Sequence, residues 1–255
     1  SGLVSSNPDI EFGLMRFKGS SGGYVMSGMG TSQANLLTDI TNLRADGSTP
    51  LSETLWESYR YLSGKSMKYG EGVEDRDKSI DDGDTYTSAF VPEVVDGKTV
   101  LRCDNSINII LMSDGDPTRD TARNSDIKNL FPDGEVPYRI KTAGGSDNYL
   151  HAMAKYMYTT DLYPSTPDTI DIGRTFTIGF GTGMSNAGKA LLEETADFGG
   201  GENLHANTAS ELVSAFERTI NKIREVNSTF SAPSVASNNF DRTQSRDSVY
   251  YAMFY

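Results

Sequence analysis

The run Ile107–Met112, broken only by Asn108, leads straight into Ser113-Asp114-Gly115-Asp116-Pro117. A strand that is apolar on both faces belongs to a parallel sheet covered by helices on either side. In open sheets of that kind, ligands bind at the carboxyl edge, where such a strand ends in a turn. A second segment, Gly47-Ser48-Thr49-Pro50-Leu51, reads as a glycine turn that opens a helix. Thr is a competent N-cap and Pro suits the first helical position. The Thr49 hydroxyl and the Asp114 carboxylate would then supply two hard oxygens to a divalent cation, with Asp116 adding charge nearby. Gly47, Ser48 and Gly115 shape the two loops. The plainer reading of the same residues is that Thr49 only caps a helix and Asp114-Gly115 only makes a turn.

The rest of the chain alternates strand and helix patterns. Ile10–Phe17 reads as a strand, and Gln33–Leu43 carries Leu36, Leu37, Ile40 and Leu43 at helical spacing. The helix opened by Thr49 and Pro50 would bury Leu51, Leu55, Tyr59 and Leu62. Gly64–Asp104 is polar and rich in Gly and Asp, the composition of a long insertion, here taken as residues 64–106. Asp114–Asp147 reads as irregular. Tyr149–Thr160 is predicted as a helix, Arg174–Phe180 as a strand, Ala187–Phe198 as a helix closed by Gly199–Gly201, and Ser210–Val226 as a last helix. The expectation is an α/β, doubly wound, Rossmann-like domain over residues 1–226. Residues 227–255 have strand composition without a helix and read as a linker with the first strands of an incomplete all-β domain. The opening Ser1–Pro8 looks like the tail of a helix and a turn, which predicts a fragment or a processed product.

A net charge of −12 argues against nucleic acid and anionic membrane surfaces as partners. No run approaches the ~20 apolar residues of a membrane-spanning helix. Cys103 is the single cysteine, so no internal disulfide forms; it is either a buried thiol or paired outside the chain. His151 and His205 lie in no nucleophile motif, and with one cysteine they make a poor zinc site. His151 is expected to be partly exposed on its helix. Gly183–Lys189 fits the first seven positions of a phosphate-binding loop, but Ala190 stands where the Mg²⁺-binding Ser or Thr should be. Asp75, Asp77, Asp81, Asp82 and Asp84 lack calcium-loop spacing and read as a solvated acidic loop. Trp56 and most of the 13 tyrosines are expected in the core. A binding module is therefore favoured over an enzyme, with a P-loop nucleotide hydrolase as the least supported option.

Gly47-Ser-Thr-Pro-Leu followed by a strand ending Ser113-Asp-Gly-Asp-Pro-Thr118 resembles the second and third motifs of von Willebrand factor type A domains. The likeness is closer to the PilY family of type IV pilus tip-associated adhesins. It also covers Phe12–Phe17, Gly47–Leu62, Thr177–Gly181, Thr195–Gly201, Phe230–Ala236 and Val249–Phe254. The resemblance implies that Thr49 and Asp114 are ligands of a metal-ion-dependent adhesion site (MIDAS) holding Mg²⁺, with Ca²⁺ or Mn²⁺ as alternatives. It implies an extracellular place at the pilus tip or bacterial outer surface. The implied partners are minor pilins, other tip proteins, or host and abiotic surface ligands bearing acidic groups. The roles would be pilus assembly, surface attachment and twitching motility, with a scaffold lacking a working metal site as the alternative. The last segments resemble the join to a carboxy-terminal β-propeller. The family's first strand, followed by Asp-x-Ser-x-Ser with the first three ligands, is not found here. Asp104-Asn-Ser106 comes closest, but it precedes a strand. Only weak or no metal binding is expected of this chain alone, and a gap is expected in its sheet.

Overall fold

A computed structural model describes residues 2–44, 47–95, 98–100, 106–132, 135–164 and 169–228. Cys103 and the proposed β-domain segment from 229 onward lie outside them. The short helix α1 (Gly2–Ser6) precedes a hairpin of β1 (Leu14–Phe17) and β2 (Gly23–Ser27). Helices α2 (Gln33–Thr41) and α3 (Leu51–Leu62) follow. The 64–106 segment contains two small hairpins, β3 (Asp81–Asp82) with β4 (Thr85–Tyr86), and β5 (Glu93–Val95) with β6 (Lys98–Val100). Then come β7 (Ser106–Ser113), α4 (Asn124–Lys128), β8 (Ile140–Lys141) paired with β9 (Asp147–Asn148), and α5 (Leu150–Thr159). The chain continues through β10 (Ile172–Phe180), α6 (Asn186–Phe198), β11 (Gly200–Ala206) and α7 (Ala209–Ser228).

The fold is mixed α/β. Its main sheet is parallel, in the order β11-β10-β7. On β10 the odd-numbered residues face α5 and α6: Gly173 lies against Met157, and Thr177 Oγ1 donates to the Leu192 carbonyl at 2.9 Å. Side chains alternate along a strand, so Phe176 and Ile178 point to the other face, where both are buried and where α7 packs across β10 and β11. The predicted partnership of Ile107–Met112 and Arg174–Phe180 in one sheet is therefore found. The position within the sheet differs from expectation: β10 is central, and β7 is an edge strand among the described residues. Accordingly Met112 stays 43% exposed and Ile107, Ile109 and Ile110 are only half-buried. The β1–β2 hairpin forms a separate sheet.

Several local expectations are corrected. The first strand is shorter than Ile10–Phe17, and β2 was not foreseen. Gly199 caps the predicted helix as expected, but Gly200 and Gly201 already belong to β11, whose backbone at Gly201 runs against the Thr175 carbonyl with no room for a Cβ. Asp114–Asp147 contains α4 and β8. The 64–106 insertion is not merely a solvated loop. The Glu57 carboxylate, fully buried on α3, accepts from the backbone N–H groups of Lys68, Tyr69 and Gly70 and from the Tyr86 hydroxyl. A buried carboxylate needs that many donors to offset its lost hydration. Glu57 thereby ties the insertion to the helix. Among the described residues no helix is long and apolar enough to cross a membrane.

Candidate functional site

The two loops singled out above meet. Thr49 N–H donates to Thr118 Oγ1 at 3.0 Å, and Thr118 N–H donates back to the Thr49 carbonyl at 3.1 Å. On its other side the turn is held to the end of β1: Ser48 N–H donates to the Gly19 carbonyl at 2.6 Å. Gly47 makes this possible. Its φ of +89° suits glycine, and a Cβ there would lie 1.8 Å from the Gly19 oxygen. The segments that follow β1 and β7 thus converge on one short turn.

Thr49 is not the helix cap that its position predicts. Helix α3 starts at Leu51 with Pro50 at the N-cap and no capping bond from a side chain at that position. The cap comes from a distant residue: Asp120 accepts from Ser52 N–H at 2.9 Å and from Glu53 N–H at 3.0 Å. Asn148 adds a third bond to the same carboxylate at 2.8 Å. Burial pushes the Asp120 carboxyl up to about 6, despite those donors. Glu53, also buried, accepts from Gly22 N–H and Ala122 N–H. It thereby joins the hairpin turn and the segment after β7 to the same helix. Sequence reading missed both acids, since a cap 68 positions away has no local signature.

With Asp120 capping α3, the Thr49 side chain makes no hydrogen bond among the described residues, and neither does the exposed Asp114 carboxylate. Both are hard oxygens of the kind Mg²⁺ accepts. Asp116 behaves differently. Its Oδ1 accepts from Ser185 N–H at 3.2 Å and from Ser185 Oγ at 2.9 Å. Ser185 is in turn the N-cap of α6. A Cβ on Gly188 would come within 2.0 Å of that same Asp116 oxygen. The acid therefore anchors the loop after β7 to the start of α6. It also sits where a phosphate would have to approach Gly183–Lys189, so that loop has its anion site filled by its own carboxylate. Ser113 is buried, and its hydroxyl closes the turn by donating to the Gly115 carbonyl at 2.8 Å.

Among the described residues no three His, Cys, Asp or Glu side chains come together as a metal cage. Thr49 and Asp114 would offer one hydroxyl and one carboxylate, enough to contribute to a Mg²⁺ shell but not to enclose it. His151 is fully buried, contrary to expectation, because Tyr138 and Phe198 pack on its ring and Nε2 meets the Tyr138 carbonyl. Burial lowers its pKa. His205 lies in β11 with its ring against Gly179, remote in role from the Thr49 turn. Of the acidic loop, Asp77 accepts from Gly28 N–H and from Ser79, and Asp81 pairs with Arg76. Asp77, and Asp75 through the Tyr24 hydroxyl, tie the insertion to β2 and the turn after it, Asp81 pairs within the insertion, and Asp82 and Asp84 are exposed as a solvated loop predicts. Comparison with protein-family models, with curated proteins and with solved structures finds no match.

Proposed function

We propose that this chain is a von Willebrand A-like binding module from the tip protein of a bacterial type IV pilus. It acts outside the cell in pilus assembly, surface attachment and twitching motility, and it is not an enzyme. The observation that carries the reading is the pair of hydrogen bonds between Thr49 and Thr118, one to the Thr118 hydroxyl and one to the Thr49 carbonyl. It holds the threonine turn beside the Asp114 turn at the carboxyl end of β7, the usual ligand edge of a parallel sheet. Support also comes from the edge of β7 that no described strand pairs with, and from β1, which ends near the same turn. One more parallel strand between β1 and β7 would give a single sheet ordered β2-β1-strand-β7-β10-β11, and its carboxyl end would fall beside Thr49 and Asp114. In this reading that strand carries the Asp-x-Ser-x-Ser ligands.

A bound divalent cation would supply a Lewis-acidic coordination position for an acidic group of a pilin, a tip protein or a surface ligand. Thr49 and Asp114 would be two of its protein oxygens. The chain's other residues position them: Gly47 lets the turn reach Gly19, Thr118 fixes the register of the two loops, and Asp116 holds the β7 loop against α6. The scaffold reading, without a working metal site, draws on the fact that Asp116 is already committed to Ser185.

Calorimetric titration with Mg²⁺ and Mn²⁺ separates the two readings. The chain alone should bind in the millimolar range or not at all, because Mg²⁺ gives up water reluctantly to so few protein oxygens. A longer form carrying a preceding Asp-x-Ser-x-Ser strand should bind at least tenfold more tightly, and Thr49→Ala or Asp114→Ala should remove that gain. An extended form that binds no better than the chain alone would favour the scaffold.

A further inference from the structure

Beside the turn that carries Thr49, but separate from it, lies a cleft of about 560 Å³. Arg16, Lys18 and Arg44 line it together with Phe17, Tyr24 and Val73; among the described residues Asp75 is the acid on its wall. The chain has an excess of acids, 35 against 23 Lys and Arg, so three cations around one depression run against the overall balance. Its size suits an organic ligand better than a bare inorganic ion.

Arg16 is the best-placed group. Its side chain is only 17% exposed. The guanidinium is held from three sides: Nη2 donates to the Arg44 carbonyl at 3.1 Å, the Tyr24 ring lies 5.9 Å beneath it, and Asp75 stands 4.0 Å from Nη1. The last distance is too long for a hydrogen bond. Asp75 is instead engaged by the Tyr24 hydroxyl at 2.8 Å. Nη1 is thus oriented by Asp75 and the Tyr24 hydroxyl, in an ion pair that is longer than a hydrogen bond. Lys18 uses one of its three donors on the Tyr69 carbonyl at 2.8 Å, leaving two. Arg44 is exposed and makes no side-chain hydrogen bond or ion pair among the described residues.

We propose that this cleft binds a carboxylate-bearing organic ligand, with Arg16 as the preorganised fork, Lys18 and Arg44 as flanking charges, and Phe17, Tyr24 and Val73 as the apolar wall. A planar carboxylate matches a guanidinium bidentately, and fixing the arginine beforehand lowers the cost of ordering it. The carboxylate could be that of a free dicarboxylic acid or of an acidic side chain in a peptide; the chemistry at Arg16 is the same. The site needs no cation and does not rest on the metal-site reading.

The test is a titration of the whole chain, in EDTA and at low salt, followed by amide chemical shifts. The probes are glutarate, a capped hexaglutamate peptide and, as control, a capped hexalysine peptide. Saturable binding of glutarate alone would identify a small acid as the source, and tighter binding of hexaglutamate would identify a peptide. Shifts should centre on Arg16–Gly19 and Gly72–Asp75, and Arg16→Gln and Arg44→Gln should each weaken binding at least fivefold. Arg44 is exposed, so its variant keeps the test valid even if Arg16→Gln perturbs folding. The proposal fails if neither carboxylate probe saturates, if hexalysine binds as well, or if both variants bind like the native chain.

Discussion

At the start of α3 Asp120 supplies the cap, which leaves the Thr49 side chain without a bond among the described residues. Thr49→Ala should change stability by no more than about 0.5 kcal/mol in urea unfolding, as for a surface group with no side-chain bond. Asp116→Ala removes the acceptor of the two Ser185 bonds and should cost about 2 kcal/mol, the range for hydrogen bonds to a charged group. Asp120 also shapes the pH dependence. Its folded pKa, about 6, lies above its ordinary value of 3.8. The protonated form is therefore favoured by folding, and this contribution is complete below about pH 3.8 and lost as the pH rises through about 6, an effect of roughly 3 kcal/mol at most. His151 acts in the other direction. Its folded pKa lies below 6.5, so its contribution is present above pH 6.5 and lost as the pH falls. Unfolding free energy measured against pH should thus become flatter between pH 4 and 6 in Asp120→Asn. In His151→Phe the decline below pH 6.5 should lessen.

Among the elements, β7 is the one whose environment contradicts its composition. It is written as a buried strand, yet only β10 pairs with it among the described residues. Long apolar edge strands invite pairing with another strand. Along a parallel strand, successive N–H groups alternate between its two neighbours, so hydrogen exchange over Ser106–Ser113 should show alternation: slow amides facing β10 and fast ones facing outward. Uniform protection in the monomer would mean that another strand already covers the edge. Helix α3 is the opposite case. Nearly all of it is buried, including Ser52, Glu53 and Glu57, because the hairpin, α5 and the insertion surround it. Replacing Glu57 with Gln keeps the shape but weakens the acceptor of three backbone N–H groups and the Tyr86 hydroxyl. A loss of about 1.5–3 kcal/mol is expected, with the insertion opening first in limited proteolysis.

For the whole molecule, two hydrophobic layers sandwich the parallel sheet. One lies under α5 and α6 with Leu111, Leu150, Met153, Leu191 and Leu192; the other holds Phe176, Ile178 and Ile220 near α7. Truncation after Ser228 tests whether residues 229–255 belong to that sandwich. Ending the chain there should move the thermal midpoint by less than about 2 °C, the equivalent of under about 1 kcal/mol for a domain of this size. A larger fall would make the tail an integral part of the domain.

What the sequence determined by itself was the set of elements whose burial is periodic and local. The buried face of α3 (Leu51, Leu55, Tyr59 and Leu62), the presence of helices at α5, α6 and α7, the partnership of β7 with β10, and the α/β class all follow from apolar spacing along contiguous residues. It also marked Thr49 and Asp114 as hydroxyl and carboxylate at loop positions. Tertiary structure alone decided how those loops join, because Thr118, Asp120 and Ser185 reach partners 67 to 69 positions away. It decided that Glu53, Glu57 and Asp120 are interior anchors, since a carboxylate looks solvated in sequence until backbone donors from other segments surround it. It buried His151 beneath Tyr138, and it made Gly200 and Gly201, which follow the Gly199 cap of α6, the start of a strand. Short-range pattern encodes which face of an element is apolar. Which element covers that face, and which distant N–H groups a buried acid satisfies, depends on contacts that no sequence window contains.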